Sequence, residues 1–257
     1  MEKGEGNPKG GGLFMNTYHK AQLFRLLIEM LDSPIAKDIY FKGGSAAAML
    51  GFLDRFSVDL DFDLKPKADK KTIDKNLRKI FRKLNLKIHQ KSNKSLFYLL
   101  KYSAKPGLRN TIKLSLVDTA LKSNLYSSFY LSEIDRFAFC QTPDTMFANK
   151  LVAVTNRYKK HKMIAGRDIY DIHHFFLSGF HYNEAVIKER TNKQPADYFK
   201  GLIKFIDSKV TEKVINEDLS FLLTREKFQL VRKVLKRETL MFLKNEITKL
   251  TATMGWE

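Results

Sequence analysis

The sequence predicts an α+β protein, with a mixed sheet flanked by helices in its N-terminal half and a helical C-terminal half. Three observations carry this. Short apolar or alternating segments of strand length lie before residue 118. From about residue 142 onward, apolar residues recur at helical spacing. The 257 residues are 44% hydrophobic and 29% charged with six prolines, a globular composition long enough for one large domain or two modest ones.

Residues 17–31 (TYHKAQLFRLLIEML) carry a helical stripe that ends at Asp32-Ser33-Pro34, because proline disfavours helix at the residue before it. Ile39-Tyr40-Phe41 reads as a short strand running into Gly43 and Gly44, with Ser45 capping the small-residue helix that follows. In SVDLDFDL (57–64), strict alternation puts Val58, Leu60, Phe62 and Leu64 on one face. Ser57, Asp59, Asp61 and Asp63 take the other. Residues 69–84 make an amphipathic helix on Ile73, Leu77, Ile80, Phe81 and Leu84. Extended segments are expected at 86–90, 95–102 and 111–118, with SAKPGLRN as a hairpin connection. Helices follow at 144–158, aspartate-capped after Pro143, then at 167–177, near 182–207 and at 215–250. The expected organisation is a glycine-rich flexible arm or cloning remnant at 1–14, an α/β domain at 15–141 and a helical domain at 142–257.

Cys140 is the one cysteine, so an intrachain disulfide and a cysteine-built zinc site are excluded, and a reducing cytoplasm is the expected location. No apolar run is long enough to span a bilayer or to serve as a signal peptide, so no membrane partner is expected. The formal net charge of +18 favours polyanions. It is concentrated: residues 65–105 hold 14 Lys and Arg against two Asp. Such a run beside an acidic strand points to a nucleic-acid track.

Asp59 and Asp61 leave the same side of one strand and repel each other. A hard divalent cation relieves that repulsion, and magnesium completes its shell with waters and substrate phosphates. Gly43 and Gly44 permit close backbone approach, and the helix start after them offers N–H groups to phosphate, with the Ser45 hydroxyl beside them. Together they describe a place where a metal and a nucleoside triphosphate meet. Farther on, Lys150 and Arg157 are two helical turns apart and share a face able to reach triphosphate oxygens. Asp168 and Asp171, three apart on the next helix, can orient those cations or contact a reacting hydroxyl. The alternative for these four is an interhelical salt-bridge cluster.

The stretch KGGSAAAMLGFLDRFSVDLDFDL resembles the GG(S/T)…R-x-S-x-D-[IL]-D-F signature of the AbiEii/AbiGii toxin-like nucleotidyltransferases, within the DNA polymerase beta-like superfamily. Arg55, Ser57, Asp59, Asp61 and Phe62 fall in register. NKLVAVTNRYKKHKMIAGRDIYDIHHF resembles the family's second, helical block through Lys150, Ala153, Arg157, Arg167, Asp168 and Asp171. The resemblance implies the nucleotidyltransferase toxin of a toxin–antitoxin or phage-defence pair, with a cognate antitoxin. It implies Mg2+ or Mn2+ on Asp59 and Asp61, and an NTP on Gly43, Gly44, Ser45, Arg55, Ser57, Lys150 and Arg157. Asp59, Asp61, Lys150 and Asp168 are its implied catalytic residues. RNA, in particular tRNA, is the implied acceptor. One position departs from the pattern: Ser115 falls where the superfamily supplies a third carboxylate, and Asp118 lies on the opposite side of that strand. Unless the strand ends or bulges so that Asp118 turns inward, the base is Asp168, Asp63 or no side chain at all. Two further readings compete: a catalytically degenerate nucleic-acid-binding protein of the same fold, and a protein-modifying nucleotidyl- or phosphotransferase.

Overall fold

The computed structural model describes residues 11–106, 108–118 and 121–254. The chain runs α1 (Gly11–Leu31), a 3-10 turn (Pro34–Asp38), β1 (Ile39–Lys42), α2 (Gly43–Met49), β2 (Asp59–Leu64) and α3 (Lys70–Lys83). It continues β3 (Lys87–Lys91), β4 (Leu96–Lys101), β5 (Thr111–Asp118), β6 (Tyr126–Leu131) and β7 (Arg136–Gln141). The rest is helical: α4 (Pro143–His161), α5 (Gly166–Leu177), α6 (Glu184–Thr191), α7 (Pro195–Lys209), α8 (Glu212–Leu219) and α9 (Arg225–Met254). The α+β expectation holds.

Among the described residues seven strands form one sheet in the order β3-β4-β5-β2-β1-β7-β6. β2 runs antiparallel to β1 and parallel to β5, which puts the acidic strand between two neighbours. β4 lies antiparallel to both β5 and β3. Two compact units divide the chain. The first comprises Met1–Ser45, Phe56–Thr119 and Tyr130–Ala138, and the second Ala46–Arg55, Ala120–Phe129 and Phe139–Glu257.

In the first unit the apolar face of β2 follows the alternation: Leu60, Phe62 and Leu64 are buried, and Phe62 stacks on Phe41 of β1 at 5.1 Å between ring centres. Ile73, Leu77, Ile80 and Phe81 bury one stripe of α3 while its lysines stay exposed, and Asp69 caps the helix by accepting from the Lys71 N–H. In the second unit Phe147 of α4 stacks on Phe175 of α5 at 4.9 Å. Gly166 opens α5 because a Cβ there would stand 2.7 Å from the Val214 carbonyl oxygen, so α5 and α8 can pack this closely only at a glycine.

The differences from expectation have local causes. β6 and β7 were not anticipated because their large side chains face outward: Phe137 and Phe139 are exposed while Ala138 and Cys140 are buried, which blurs the usual apolar-in pattern. Burial pushes the Cys140 thiol up to about 12, so it is an inert packing residue. α1 begins at Gly11, within the expected arm, and residues 1–10 lie outside the described residues. Thr142, not Asp144, takes the N-cap position of α4, with Pro143 as the first helical residue. Each long C-terminal segment is two helices. The first breaks where Asn192 adopts a left-handed φ of 54°, and the second breaks between Leu219 and Arg225.

Candidate active site

In the first unit the first turn of α2, which follows β1 directly, lies against the acidic strand. Gly43 has φ +81°, and a Cβ there would sit 3.2 Å from Asp61 Oδ2. Glycine therefore serves twice, in conformation and in clearance. Ser45 lies inside α2 and does not cap it; its hydroxyl donates to the Asp59 carbonyl and so ties the turn to β2. α2 has only seven residues. Gly44 follows Gly43 in that turn, and Ser57 is half-buried two residues before β2.

The three aspartates of β2 have separate fates. Asp63 is buried and accepts from Lys42 Nζ at 2.5 Å. Asp59 and Asp61 keep 23% and 31% of their side chains exposed. Both approach one cationic atom, Lys113 Nζ, which stands 3.2 Å from Asp59 Oδ2 and 3.8 Å from Asp61 Oδ1. Arg109 Nη2 is 3.8 Å from Asp59 Oδ1. The parallel register sets Lys113 beside Asp59 and Ser115 beside Asp61. Asp118, at the end of β5, is exposed and pairs with Lys70 Nζ at 2.6 Å. His19, which carried no sequence signal, buries its ring with Nε2 2.9 Å from the Val58 carbonyl and Nδ1 2.7 Å from the Tyr102 hydroxyl. Burial pushes its pKa down against the pull of that carbonyl.

Two convergent carboxylates beside a glycine that leaves Asp61 approachable form a donor set suited to a hard cation that takes its other ligands from water and phosphate. Among the described residues no group of three or more His, Cys, Asp and Glu side chains could hold a metal. Asp59 and Asp61 would be the protein ligands of a magnesium bound there, with water and phosphate as the others.

In the second unit the helical block assembles around Asp171. Arg55 grips it with Nε at 2.5 Å from Oδ1 and Nη2 at 2.7 Å from Oδ2. Lys150 Nζ lies 2.7 Å from Asp171 Oδ2 and 4.0 Å from Asp168 Oδ1, and Arg157 Nε donates to Asp168 Oδ2 at 2.9 Å. Arg55, Asp168 and Asp171 are buried. Burial alone would raise the Asp171 carboxyl, but the charges of Arg55 and Lys150 and their hydrogen bonds outweigh it and hold it at about 2. Three cations face two carboxylates, so the cluster retains one positive charge. His173 Nε2 is 2.8 Å from Glu238 Oε2, and His174 Nδ1 is 3.3 Å from Asp54 Oδ1. Arg55 was expected from the resemblance as a nucleotide contact; its side chain lies on Asp171.

Residues 25–247 match the model of the nucleotidyl transferase AbiEii toxin of type IV toxin–antitoxin systems. The fold is similar to the crystal structure of JHP933 from Helicobacter pylori, with TM-score 0.53 and 19% identity over 93% of this chain and 97% of that one. It is also similar to the crystal structure of a candidate nucleotidyltransferase from H. pylori, with TM-score 0.52 and 18% identity over 90% and 96%. No curated protein matches. Among the described residues no helix is long and apolar enough to cross a membrane. With the family model covering most of the sequence, including both motif blocks, this chain belongs to the AbiEii nucleotidyltransferase toxin family.

Proposed function

We propose that the chain transfers a nucleoside monophosphate from an NTP to a hydroxyl of RNA, with tRNA as the favoured class, in a reaction that needs Mg2+ or Mn2+ on Asp59 and Asp61. The observation that carries this is the convergence of those two carboxylates beside the Gly43 backbone. Membership of a type IV toxin family implies an antitoxin partner. The RNA reading is supported by the net charge of +18 and by the exposed lysines and arginines of α3.

In this reading the Gly43-Gly44-Ser45 turn receives the triphosphate, and its backbone can approach the phosphates closely because no Cβ intervenes at the first two positions. Asp59 and Asp61 would hold the cation, which would supply Lewis-acid polarisation of the phosphate and offset the negative charge that develops there. Within the second unit Asp168, within reach of both, orients Lys150 and Arg157, the cations that the family resemblance assigns to the triphosphate. The acceptor hydroxyl attacks the α-phosphorus, its proton passes to water, the bond from that phosphorus to the oxygen bridging to the β-phosphate breaks, and pyrophosphate leaves.

The test is label transfer from each α-labelled NTP to total RNA and total protein, with magnesium and then with EDTA. Ribonuclease-sensitive, EDTA-sensitive label supports the reading. Label that follows protein replaces the acceptor. A degenerate binding protein, the reading favoured by Ser115 beside Asp61, binds RNA and transfers nothing.

A further inference from the structure

We propose that Lys113 is the resident counter-cation of the Asp59/Asp61 pair, so that a divalent cation enters only by displacing its ammonium. The displaced ammonium then serves the phosphates that arrive with the metal. This rests on the metal role proposed above for the two carboxylates and adds a positioning residue that neither motif block contains.

The strand register carries the first part. Residues paired side by side on parallel strands project to the same face, and β5 sets Lys113 beside Asp59. The distances carry the second: one ammonium lies within 4 Å of an oxygen from each carboxylate. With Arg109 also near Asp59, at least two cations among the described residues face the two carboxylates, and an approaching divalent ion meets a pair already compensated. Exposure carries the third. The Lys113 side chain is 39% exposed on a flexible four-carbon stem, so its ion pairs are half-solvated and exchangeable. A triphosphate gives that ammonium a new anion, which makes metal and nucleotide entry mutually dependent.

The experiment measures the Kd for Mn2+ of the nucleotide-free chain by the electron paramagnetic resonance of free Mn2+. Lys113→Met is expected to bind at least tenfold more tightly than wild type, about 1.4 kcal/mol. Lys113→Arg is expected to stay near wild type. A non-hydrolysable NTP analogue should tighten Mn2+ binding in wild type and do so less in Lys113→Met. Equal or weaker Mn2+ binding by Lys113→Met, with binding still lost in Lys113→Met/Asp61→Asn, overturns the counter-cation role and leaves the metal role standing. Binding by Lys113→Met that survives both Asp59→Asn and Asp61→Asn overturns the metal role and this inference with it, as does the absence of binding in every variant with nucleotide. Lys113→Gln replaces Lys113→Met if the latter melts abnormally.

Discussion

Asp59 and Asp61 on β2 keep a quarter to a third of their side chains exposed and face a half-exposed lysine across 3.2 and 3.8 Å. Asp171 on α5 has no exposure and takes a two-point grip from Arg55 with Lys150 at 2.7 Å. The residue types are similar and the consequences opposite. A half-solvated pair gains little from its ion contacts and can exchange them for a ligand. A buried carboxylate cannot release its partners without stranding a charge in low dielectric, so it holds the structure around it. The open cluster is suited to changing occupants, and the closed one to fixing the cations around it.

The largest difference expected between the clusters is in stability. Asp171→Asn should cost about 3–5 kcal/mol in urea unfolding, because Arg55 and Lys150 lose the carboxylate that neutralises them. Asp61→Asn should stay within about 1 kcal/mol of wild type. Comparable losses in both variants would break the distinction. Acid should sharpen it. The Asp171 carboxyl falls from an ordinary 3.8 to about 2 in the folded chain. Its contribution is complete above pH 3.8 and disappears as the pH falls through about 2. That window is worth about 2 kcal/mol, and urea unfolding of Asp171→Asn across it should lack the step.

Gly43→Ala should cost about 1–2 kcal/mol, because an alanine at φ +81° is strained and its Cβ presses on Asp61. The same variant should raise the KM for NTP more than it lowers kcat. The smallest effect belongs to the basic surface of α3. Lys75→Gln and Lys79→Gln, both exposed, should leave the melting temperature unchanged. Each should flatten the log–log salt dependence of RNA affinity by about 0.7. An unchanged slope would remove α3 from the RNA surface.

The two clusters also differ in how much of them the sequence exposes. Alternation in β2 and the glycines that open α2 are local patterns, so the acidic face and the helix start against it could be read directly. Spacing likewise grouped Lys150 with Arg157 and Asp168 with Asp171. It could not say that Arg55, 116 residues earlier, closes on Asp171, because that pairing is made by tertiary packing alone. Lys113 was hidden for a related reason: its role depends on which residue of β5 pairs with Asp59, and strand register is not written locally. β6 and β7 escaped because their aromatics face outward, and His19 because a histidine within an amphipathic helix has no distinctive signal.

The most direct test of the central claim is nucleotide transfer by Asp59→Asn and Asp61→Asn, measured with α-labelled NTP and followed by a melting curve on the same samples. The account predicts that transfer falls at least a hundredfold in each variant while the melting temperature holds, as when groups aimed at developing charge are removed. Undiminished, magnesium-dependent transfer by both folded variants would contradict it.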